Sequence, residues 1–421
     1  MSRAKRVFGS LRAHSDKSLT HRALIFSALA REPSEIVRPL TSQDTLSTAK
    51  CLSQMGVKFQ MQPGSRLEIN PPGQLESPIA TLNCANSGTT ARLLAGILST
   101  RRLKATLDGD DSLRSRPMDR VVLPLAEMGA KFNQIQLPLT VSGTDKGCSI
   151  NYSSKVSSGQ VKSAVLLAAM NVTGTTTYTE PHRSRDHTER MLGHLGAPIA
   201  VNGNTVRLTG PFSPNGFQFA IPGDPSSCAF LATVAACVPD SFIIFNDVLL
   251  NPLRLGYFRL LQKIGVALSF APKEERFGET VGDLWVGSAT NLQPFQVSAQ
   301  ESPTLVDEAP LACLVATQCS GTSEFTGLAE LKVKESDRLK ETAEILNQFG
   351  AKVELTEDGW IVEGPTSLKA ANIVGQHDHR MVMLAACAAL MADGTSTVQN
   401  PEVVSVSYPG FWEDLEKHVE V

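Results

Sequence analysis

The sequence predicts a two-domain fold of mixed helices and strands, of the α+β or α/β class, built from six copies of one unit. Three observations predict it: a length of 421 residues, a glycine pentapeptide that recurs along the chain, and a series of apolar segments between its copies. At about 100–200 residues per domain, the chain has room for two or three domains. Six copies give roughly 70 residues each, a period that indicates stacked supersecondary units. We expect three copies in each of two globular domains.

The recurring pentapeptide has the form apolar-Gly-Ala/Val-x-apolar, and each copy follows an amphipathic stretch. This order predicts a helix, a Gly that ends the helix with a left-handed φ, and then a strand. A sixth copy, YPGFWEDLEKHV, is predicted to end the chain without its strand. The five complete copies are MGVKF, MGAKF, LGAPI, IGVAL and FGAKV, with their glycines at Gly56, Gly129, Gly196, Gly265 and Gly350.

The second series consists of six segments rich in Ala and Leu, which are apolar on most faces and are therefore predicted to be buried helices. Five open on Ser, Asp or His, and the first, which begins at Lys17, follows Asp16. Helix N-termini of this kind suit an anion, although ordinary N-capping explains the same residues equally well. The Pro-rich stretch IPGDPSS, residues 221–227, is the predicted crossing point between the halves. The segments are KSLTHRALIFSALA, SGTTARLLAGILS, SGQVKSAVLLAAM, DPSSCAFLATVAA, DEAPLACLVAT and HRMVMLAACAAL.

Composition excludes several classes of protein. A net charge of −3 and a pI near 6.3 give no bulk attraction to nucleic acid or to an anionic membrane. Apolar runs are too short to span a bilayer, and the basic start MSRAKRVFGSLRAH lacks the apolar stretch of a secretion signal. The eight cysteines show no CxxC and no zinc-type spacing, so we expect buried thiols in a reducing cytoplasm.

Cations recur at the starts of the predicted helices in both halves, although only 19% of the chain is charged. Several Lys and Arg together predict a polyanionic ligand, and carboxylates among them, Asp307 and Glu335, are candidates for proton transfer. In LKVKESDRLK, residues 331–340, Lys332 and Lys340 are predicted to be solvated surface. Walker, GxGxxG, HExxH and GxSxG motifs do not occur. The cations are Lys17, Arg22, Arg92, Arg114, Arg116, Arg120, Arg183, Arg185, Lys334, Arg338 and Arg380.

Over essentially its whole length the chain resembles the 5-enolpyruvylshikimate-3-phosphate (EPSP) synthase family. The resemblance implies an inside-out, barrel-like fold of six βαβαββ units, three per domain, with a ligand cleft between domains that close on the ligand. It implies lobes at 14–225 and at 1–13 plus 226–421. The segments that carry it, in order, are DKSLTHRAL, NSGTTARLL, RSRPMDRVVLPLAEMGA, SSGQVKSAVLLA, RSRDHTERML, DEAPLA, LKVKESDRL, DHRMVM and YPGFWEDL.

The resemblance also implies a reaction. Enolpyruvyl transfer from phosphoenolpyruvate to the 5-hydroxyl of shikimate 3-phosphate releases phosphate through a tetrahedral intermediate, in the pathway to chorismate and the aromatic amino acids. The implied enzyme is a cytoplasmic monomer that acts on these two small molecules, without metal, organic cofactor, nucleic acid or membrane. Glyphosate competes at the phosphoenolpyruvate site of this family, and Gly88 retains the small residue that permits it.

Residue roles carry over from the matching motifs. Asp307, Glu335 and Lys17 are the implied catalytic residues, with Asp307 taking the hydroxyl proton and Glu335 handling the proton at the methylene carbon. Shikimate 3-phosphate is expected to contact Lys17, Ser18, Arg22, Ser158, Gln160, Arg185, Asp307 and Lys334. Phosphoenolpyruvate is expected to contact Lys17, Gly88, Arg116, Gln160, Arg338 and Arg380.

Besides Gly159, which stands before Gln160 where relatives often carry Ser or Ala, the sequence shows three departures from the family pattern. Glu330 stands where some members have Asn, His14-Ser15 replaces the usual Pro-Gly, and VVSVSYP (403–409) lacks a Lys found in many members. Two alternatives therefore stay open. One is the related transferase that acts on UDP-N-acetylglucosamine and usually uses a loop Cys, for which Cys84 and Cys148 come closest. The other is a non-catalytic, anion-binding paralogue.

Overall fold

The computed structural model describes residues 1–421, which divide into two compact units. The first, here called the terminal unit, comprises Met1–His14, Pro222–Glu274 and Thr280–Val421. The second, the middle unit, comprises Ser15–Ile221 with Glu275–Glu279. Both units combine apolar helices with short sheets, which confirms the predicted mixed, two-domain class.

Twenty-three strands and thirteen α-helices follow one another along the chain. The strands are β1 (Arg6–Arg12), β2 (Ser34–Val37), β3 (Lys58–Gln62), β4 (Arg66–Asn70), β5 (Leu82–Asn83), β6 (Lys104–Asp108), β7 (Lys131–Phe132), β8 (Leu139–Ser142), β9 (Asn151–Ser153), β10 (Gly174–Thr179), β11 (Ile199–Asn202), β12 (Thr205–Gly210), β13 (Gln218–Ala220), β14 (Phe242–Leu249), β15 (Leu268–Arg276), β16 (Glu279–Gly287), β17 (Gln296–Val297), β18 (Gly321–Phe325), β19 (Lys352–Leu355), β20 (Trp360–Gly364), β21 (Asn372–Ile373), β22 (Thr397–Val398) and β23 (Val419–Glu420). The helices are α1 (Lys17–Ala28), α2 (Gln43–Ser53), α3 (Gly88–Ser99), α4 (Asp111–Ser115), α5 (Asp119–Glu127), α6 (Gly159–Ala169), α7 (His187–His194), α8 (Pro225–Cys237), α9 (Gly256–Lys263), α10 (Ala309–Ala316), α11 (Arg338–Gln348), α12 (His379–Met391) and α13 (Phe411–His418). Short 3-10 helices lie at Ser302–Thr304, Ala329–Val333 and Pro401–Val406.

The middle unit contains three four-stranded sheets that share one plan. Their strand orders are β13-β2-β4-β3, β5-β6-β8-β7 and β9-β10-β12-β11, with the first pair parallel and the others antiparallel. The runs β5-α3-β6-α5-β7-β8 and β9-α6-β10-α7-β11-β12 give the predicted βαβαββ unit, with α4 as an addition. In the remaining sheet, β13 comes from the end of the middle unit, so that copy is completed by a strand distant in sequence.

The terminal unit repeats this plan in β17-β18-β20-β19 and adds a two-stranded sheet, β21-β22. Its largest sheet has the order β15-β16-β14-β1-β23, in which β1 runs parallel to β14. Strand β23 corrects one prediction, because the sixth copy does have a strand after its helix. Val419 and Glu420 pair antiparallel with Val7 and Arg6. Two residues are too short a run for alternation to indicate a strand.

The six apolar segments form buried helices, as predicted. Helix α8 is buried at every position from Pro225 to Ala236. Helices α3 and α6 touch through their backbones, because a Cβ on Gly96 would lie 2.3 Å from the carbonyl oxygen of Ala164. Asp16, Ser87, Ser158, Asp224 and Asp378 accept hydrogen bonds as N-caps of α1, α3, α6, α8 and α12. Ordinary capping is therefore present at five of these starts, whatever else they do.

The five pentapeptide glycines all have a positive φ, which confirms the predicted helix ends. Their φ values are +94°, +106°, +86°, +108° and +83° at Gly56, Gly129, Gly196, Gly265 and Gly350. Each follows the last turn of α2, α5, α7, α9 or α11. A residue with a Cβ is strained in this conformation, so Gly ends the helix at low cost.

Two further sequence predictions have an outcome here. The cysteines are unpaired, but burial is not uniform, because Cys148 is exposed and Cys237 is half-buried. Cys148 lies in a surface segment after β8, so the expectation of a buried thiol is wrong at this position. Among the helices, none combines the length and the apolar character that crossing a membrane requires.

Candidate functional site

In the middle unit, a chain of polar contacts begins at the first turn of α1. The ammonium of Lys17 lies 3.0 Å from Oδ2 of Asp44, a buried carboxylate in the first turn of α2. The Thr90 hydroxyl, on α3, lies 3.5 Å from the Asp44 carbonyl oxygen and 2.8 Å from the hydroxyl of Ser87. Burial lowers the pKa of the nearby His21 well below its usual value, and the charges of Lys17 and Arg22 lower it further. That imidazole is therefore neutral beside two cations.

The start of α3 contributes Gly88 and two guanidinium groups. A Cβ on Gly88 would lie 2.7 Å from one terminal nitrogen of Arg92 and 3.4 Å from one of Arg116. Arg116 donates to the side-chain oxygen of Asn86 at 2.6 Å, and Arg92 donates to Oε1 of Gln160 at 2.5 Å. Because Gly88 has no side chain, its backbone lies close to the two guanidinium groups, and an anion held by them could also contact this backbone.

The start of α6 contributes two of the predicted site residues and packs against a third. The amide of Gln160 donates to the hydroxyl of Thr89 at 3.0 Å, which ties α6 to α3. Ser158 is the N-cap of α6. A Cβ on Gly159 would lie 3.2 Å from the carbonyl oxygen of Arg185, so the Arg185 backbone packs against this helix start. Ser158, Gln160 and Arg185 therefore lie at one place in the fold.

Arg22 connects α1 back to α6 and to α7. This buried guanidinium donates to the carbonyl oxygen of Ser18 at 2.9 Å, to the hydroxyl of Ser163 at 2.8 Å and to the hydroxyl of Thr188 at 2.8 Å. The two hydroxyls are themselves 2.7 Å apart. Three partners fix the plane of the guanidinium, as bidentate recognition of a phosphate or carboxylate requires.

These contacts form a closed ring through α1, α2, α3 and α6. The structure thus brings together every site residue that was predicted within the middle unit. They are Lys17, Ser18, Arg22, Gly88, Arg116, Ser158, Gln160 and Arg185. Amide donors at helix starts and several cations in one layer give a surface suited to phosphate and carboxylate groups.

In the terminal unit, Asp307 is the centre of the candidate site. Its carboxylate lies 3.6 Å from the ammonium of Lys334, 3.7 Å from the guanidinium of Arg338 and 3.9 Å from that of Arg380. Arg380 also donates to the Asp307 carbonyl oxygen at 2.8 Å. One carboxylate therefore faces three cations, and its side chain keeps 13% of its accessible surface.

Arg338 is buried and is held by two further carboxylates. Its Nε and NH2 groups donate to Asp378 at 2.7 and 3.1 Å, and NH2 lies 2.5 Å from Glu335. Burial opposes the charge on Arg338, but Asp378 and Glu335 outweigh it and raise the pKa of the guanidinium above its usual value. Burial alone would raise the pKa of Asp378, but Arg338 holds it below its usual value. Both groups are therefore charged at neutral pH.

Asp378 also links Arg338 to the start of α12. Its side chain accepts from the backbone N–H of Arg380 at 2.9 Å and from the hydroxyl of Ser336 at 3.3 Å. Arg380 in turn lies 3.7 Å from Glu308, which accepts a hydrogen bond from Ser226. All five site residues predicted in this unit, Asp307, Lys334, Glu335, Arg338 and Arg380, thus belong to one network.

The segment LKVKESDRLK divides as the sequence suggested. Lys334 and Glu335 are half-buried and Arg338 is buried at the first position of α11. Lys332 and Lys340 are exposed, and Lys340 pairs only weakly with Glu344 at 3.6 Å along its own helix. The charged groups of the network at the start of α11 are thus separate from the charged groups that face solvent.

Two of the three departures from the family pattern meet in the terminal unit. The imidazole Nε2 of His14 lies 3.2 Å from Asp414, and its ring packs on Tyr408 at 4.8 Å between centroids. The Tyr408 hydroxyl donates to the same Asp414 oxygen at 2.6 Å. His14 thus contacts the end of the segment in which the expected Lys is missing. Glu330 lies half-buried on the second 3-10 helix.

Several residues that hold the predicted groups were not assigned roles from the sequence. Asp44 and Asn86 hold Lys17 and Arg116, and Asp378 holds Arg338. Asp378 begins DHRMVM, one of the segments that carry the resemblance, and Asp44 follows a Ser-Gln that starts a helix. Neither pattern says which cation the carboxylate meets, because each pair is joined by tertiary packing.

One cluster of side chains of the types that bind metal ions lies in the middle unit. Asp186, His187 and Glu279 offer ligand atoms within 4.8 Å of one another. The guanidinium of Arg190 lies 2.9 Å from Asp186 and 3.7 Å from Glu279, and His187 Nδ1 lies 2.6 Å from Glu279. A cation already neutralises these carboxylates, so the donor set does not fit a metal ion.

The fold and these two cation clusters, one of them around a carboxylate, fit an enzyme class whose substrates are small polyanions. A family model described as EPSP synthase (3-phosphoshikimate 1-carboxyvinyltransferase) matches residues 1–415. The chain belongs to the EPSP synthase family, which confirms the resemblance stated from its motifs.

Curated relatives and solved structures agree with this family. The 3-phosphoshikimate 1-carboxyvinyltransferase of Aquifex aeolicus is 41% identical and aligns over 100% of this chain and 99% of its own length. That of Geobacillus thermodenitrificans is 41% identical over 97% of this chain and 95% of its own. A solved EPSP synthase from Acinetobacter baumannii is 32% identical, with a TM-score of 0.87 over 100% of this chain and 97% of that one. The enolpyruvyl transferase NikO from Streptomyces tendae, 16% identical with a TM-score of 0.80, shares the fold.

Proposed function

We propose that this chain transfers the enolpyruvyl group of phosphoenolpyruvate to the 5-hydroxyl of shikimate 3-phosphate, giving 5-enolpyruvylshikimate 3-phosphate and phosphate. Membership of the family and the names of relatives at about 40% identity support this reaction. The observation that carries it is Asp307, a carboxylate surrounded by Lys334, Arg338 and Arg380. A base among cations suits deprotonation of a hydroxyl beside a substrate that carries both a phosphate and a carboxylate.

The proposed addition step uses two carboxylates. Asp307 takes the proton of the 5-hydroxyl while the hydroxyl oxygen bonds to the second carbon of phosphoenolpyruvate. Glu335, 2.5 Å from Arg338 and protonated for this step, supplies its proton to the methylene carbon, which gives the tetrahedral intermediate. In the elimination step the carbon–oxygen bond to phosphate breaks, the phosphate leaves with the proton held by Asp307, and a methyl proton returns to Glu335 as the double bond forms again. Lys17, Arg338 and Arg380 stabilise the charge on the phosphate and carboxylate.

Substrate contacts are proposed as the motifs imply. Shikimate 3-phosphate uses Lys17, Ser18, Arg22, Ser158, Gln160, Arg185, Asp307 and Lys334. Phosphoenolpyruvate uses Lys17, Gly88, Arg116, Gln160, Arg338 and Arg380. The proposed enzyme is a cytoplasmic monomer of two lobes, 14–225 and 1–13 plus 226–421.

Phosphate release from purified protein tests the proposal. Phosphoenolpyruvate with shikimate 3-phosphate is expected to give one phosphate per product, and phosphoenolpyruvate with UDP-N-acetylglucosamine is expected to give none. Release with the UDP-sugar alone would establish the first alternative, and release with neither acceptor would favour the non-catalytic paralogue. Against the first alternative, Cys84 is buried, and its hydrogen bond to Cys51, together with burial, raises the pKa of its thiol.

A further inference from the structure

A buried triad of charged side chains lies next to the residues that hold Arg22 in the middle unit. The ammonium of Lys162, on α6, is 2.7 Å from Glu180, which follows β10, and 2.7 Å from Glu189, on α7. All three side chains are at most 3% exposed. Burial disfavours the charge on Lys162, but Glu189 and Glu180 outweigh it and raise the pKa of the ammonium. Lys162 is therefore a cation that no solvent reaches.

The triad adjoins the two hydroxyls that orient Arg22. Lys162 precedes Ser163 on α6, and Glu189 follows Thr188 on α7. Ser163 and Thr188 are the partners of the Arg22 guanidinium, each at 2.8 Å. The ion pair between Lys162 and Glu189 therefore joins the two helices one residue away from the contacts that set the position of Arg22.

The third member of the triad fixes the segment that carries Arg185. Glu180 accepts from the backbone N–H of Ser184 at 2.9 Å and from its hydroxyl at 2.6 Å. Lys162 also lies 3.3 Å from the carbonyl oxygen of Ser184. Arg185 follows directly and packs on Gly159. Lys162 thus restrains two arginines that were predicted to bind phosphate.

Stability alone is a poor explanation for this triad. Charges lose their hydration on burial, and a buried ion pair is often no more stabilising than apolar side chains of the same size. The triad does fix the distance between α6 and α7, and this suits a role in positioning the side chains beside it.

We propose that Lys162 is a positioning residue for the phosphate of shikimate 3-phosphate, acting through Ser163 and Thr188 on Arg22 and through Glu180 on Arg185. This inference rests on the proposed function, because it concerns the same substrate. Lys162 itself does not touch the substrate in this role. Its loss shifts the guanidinium groups, and displacement of a binding group by a fraction of an ångström weakens recognition of a charged ligand.

The test compares Lys162→Met with Leu166→Ala, which removes a buried side chain one turn away on the same helix and leaves all three charged groups of the triad in place. For Lys162→Met, we expect the Kd of shikimate 3-phosphate, measured by calorimetry, to rise about tenfold. The KM for phosphoenolpyruvate is expected to change less than about twofold. Leu166→Ala is expected to lower the unfolding temperature but to leave both constants unchanged. An unchanged Kd in Lys162→Met, or an equal rise in Leu166→Ala, would overturn the inference.

A double-mutant cycle with Arg22→Ala separates positioning from general damage. If Lys162 acts mainly through Arg22, the two substitutions are not additive, and Lys162→Met weakens binding far less when Arg22 is absent. Full additivity would contradict the role assigned to Arg22. Should the unaltered protein neither bind shikimate 3-phosphate nor turn over, the proposed function fails instead. Should it do both while the variant matches it, only the present inference fails.

Discussion

At the scale of single residues, the site depends on side chains whose charge is fixed by their neighbours. Asp307 has three cations within 4 Å, whereas the cations themselves are held by other carboxylates, such as Asp378 on Arg338. The neighbouring carboxylates keep the cations in place before an anion arrives. Preorganised charge of this kind costs no rearrangement during the reaction.

Replacing Asp307 tests its role as the base. Asp307→Asn keeps the shape but cannot take a proton, so we expect kcat to fall by about 100-fold or more. The fold is expected to survive, since the side chain is partly exposed and faces cations that an amide oxygen can still contact. Steady-state kinetics and circular dichroism measure the two effects. Lys340→Ala, at an exposed position 61% accessible, is the control and is expected to change kcat little. Equal losses in both variants would mean that site and surface have been confused.

Gly88 offers a test of the phosphoenolpyruvate contacts. A methyl group at this position would lie 2.7 Å from a terminal nitrogen of Arg92, which must shift, and would be in contact with Arg116 at 3.4 Å. For Gly88→Ala we expect the KM for phosphoenolpyruvate to rise roughly tenfold, with a smaller change for shikimate 3-phosphate. Initial-rate measurements with each substrate varied in turn provide both values. A KM for phosphoenolpyruvate equal to that of the unaltered protein would argue against this contact.

At the scale of elements, helices and their ends were the most predictable part of the chain. A helix that is buried on most faces needs apolar side chains all round, which explains the six Ala- and Leu-rich segments. A left-handed φ at the end of a helix favours Gly, which explains the five glycines. These are local properties, which a short stretch of sequence contains in full. The five-residue α4, the two-residue β23 and Pro124 inside α5 have no such local signal. They depend on partners elsewhere in the chain.

Gly196, which follows α7, can be compared with Gly193 inside the same helix. Gly196 has φ +86°, and no atom lies within 4 Å of the place that a methyl group would take, so Gly196→Ala isolates the backbone strain. We expect it to lower the free energy of unfolding by about 1–2 kcal/mol. Gly193→Ala, inside α7 with its nearest contact at 3.7 Å, is the control and is expected to be neutral or stabilising by about 0.5–1 kcal/mol. Urea unfolding measures both. A neutral Gly196→Ala would contradict the role of the left-handed φ.

At the scale of the whole molecule, the sequence predicted the cations of the candidate site but not the residues that hold them. Arg22 and Arg338 were found because they recur at helix starts. Their partners, Thr188 and Asp378, lie 166 and 40 residues away along the chain. A single sequence contains no signal for such pairs, since each depends on how separate helices pack. The roles of the site residues in binding and catalysis stay predictions until the experiments above are done.

The free energy of unfolding at acidic pH should depend on the buried ion pair between Asp378 and Arg338. The pKa of Asp378 is held below 3.8 in the folded protein, so its stabilising contribution is complete above that value and is lost as the pH falls through the folded pKa. At pH 7 we expect Asp378→Asn to lower the free energy of unfolding by about 3–5 kcal/mol, because Arg338 loses its buried partner. Urea titrations at pH 7 and pH 3.5 should show a smaller difference between the two proteins at the lower pH. A constant difference would mean that the charge of Asp378 is not what stabilises the fold.

The position of β1 has a consequence for how the chain folds during synthesis. Val7 hydrogen-bonds to Ser241, 234 residues later, and β1 also pairs with β23 at the far end of the sequence. Ribosomes add about 5–20 residues per second, so the first strand waits on the order of tens of seconds for a partner. The middle unit, whose Ser15–Ile221 portion is synthesised during that interval, can begin to fold first. Strand β1 thus leaves the ribosome well before its partner strands and is among the last elements to reach its native contacts.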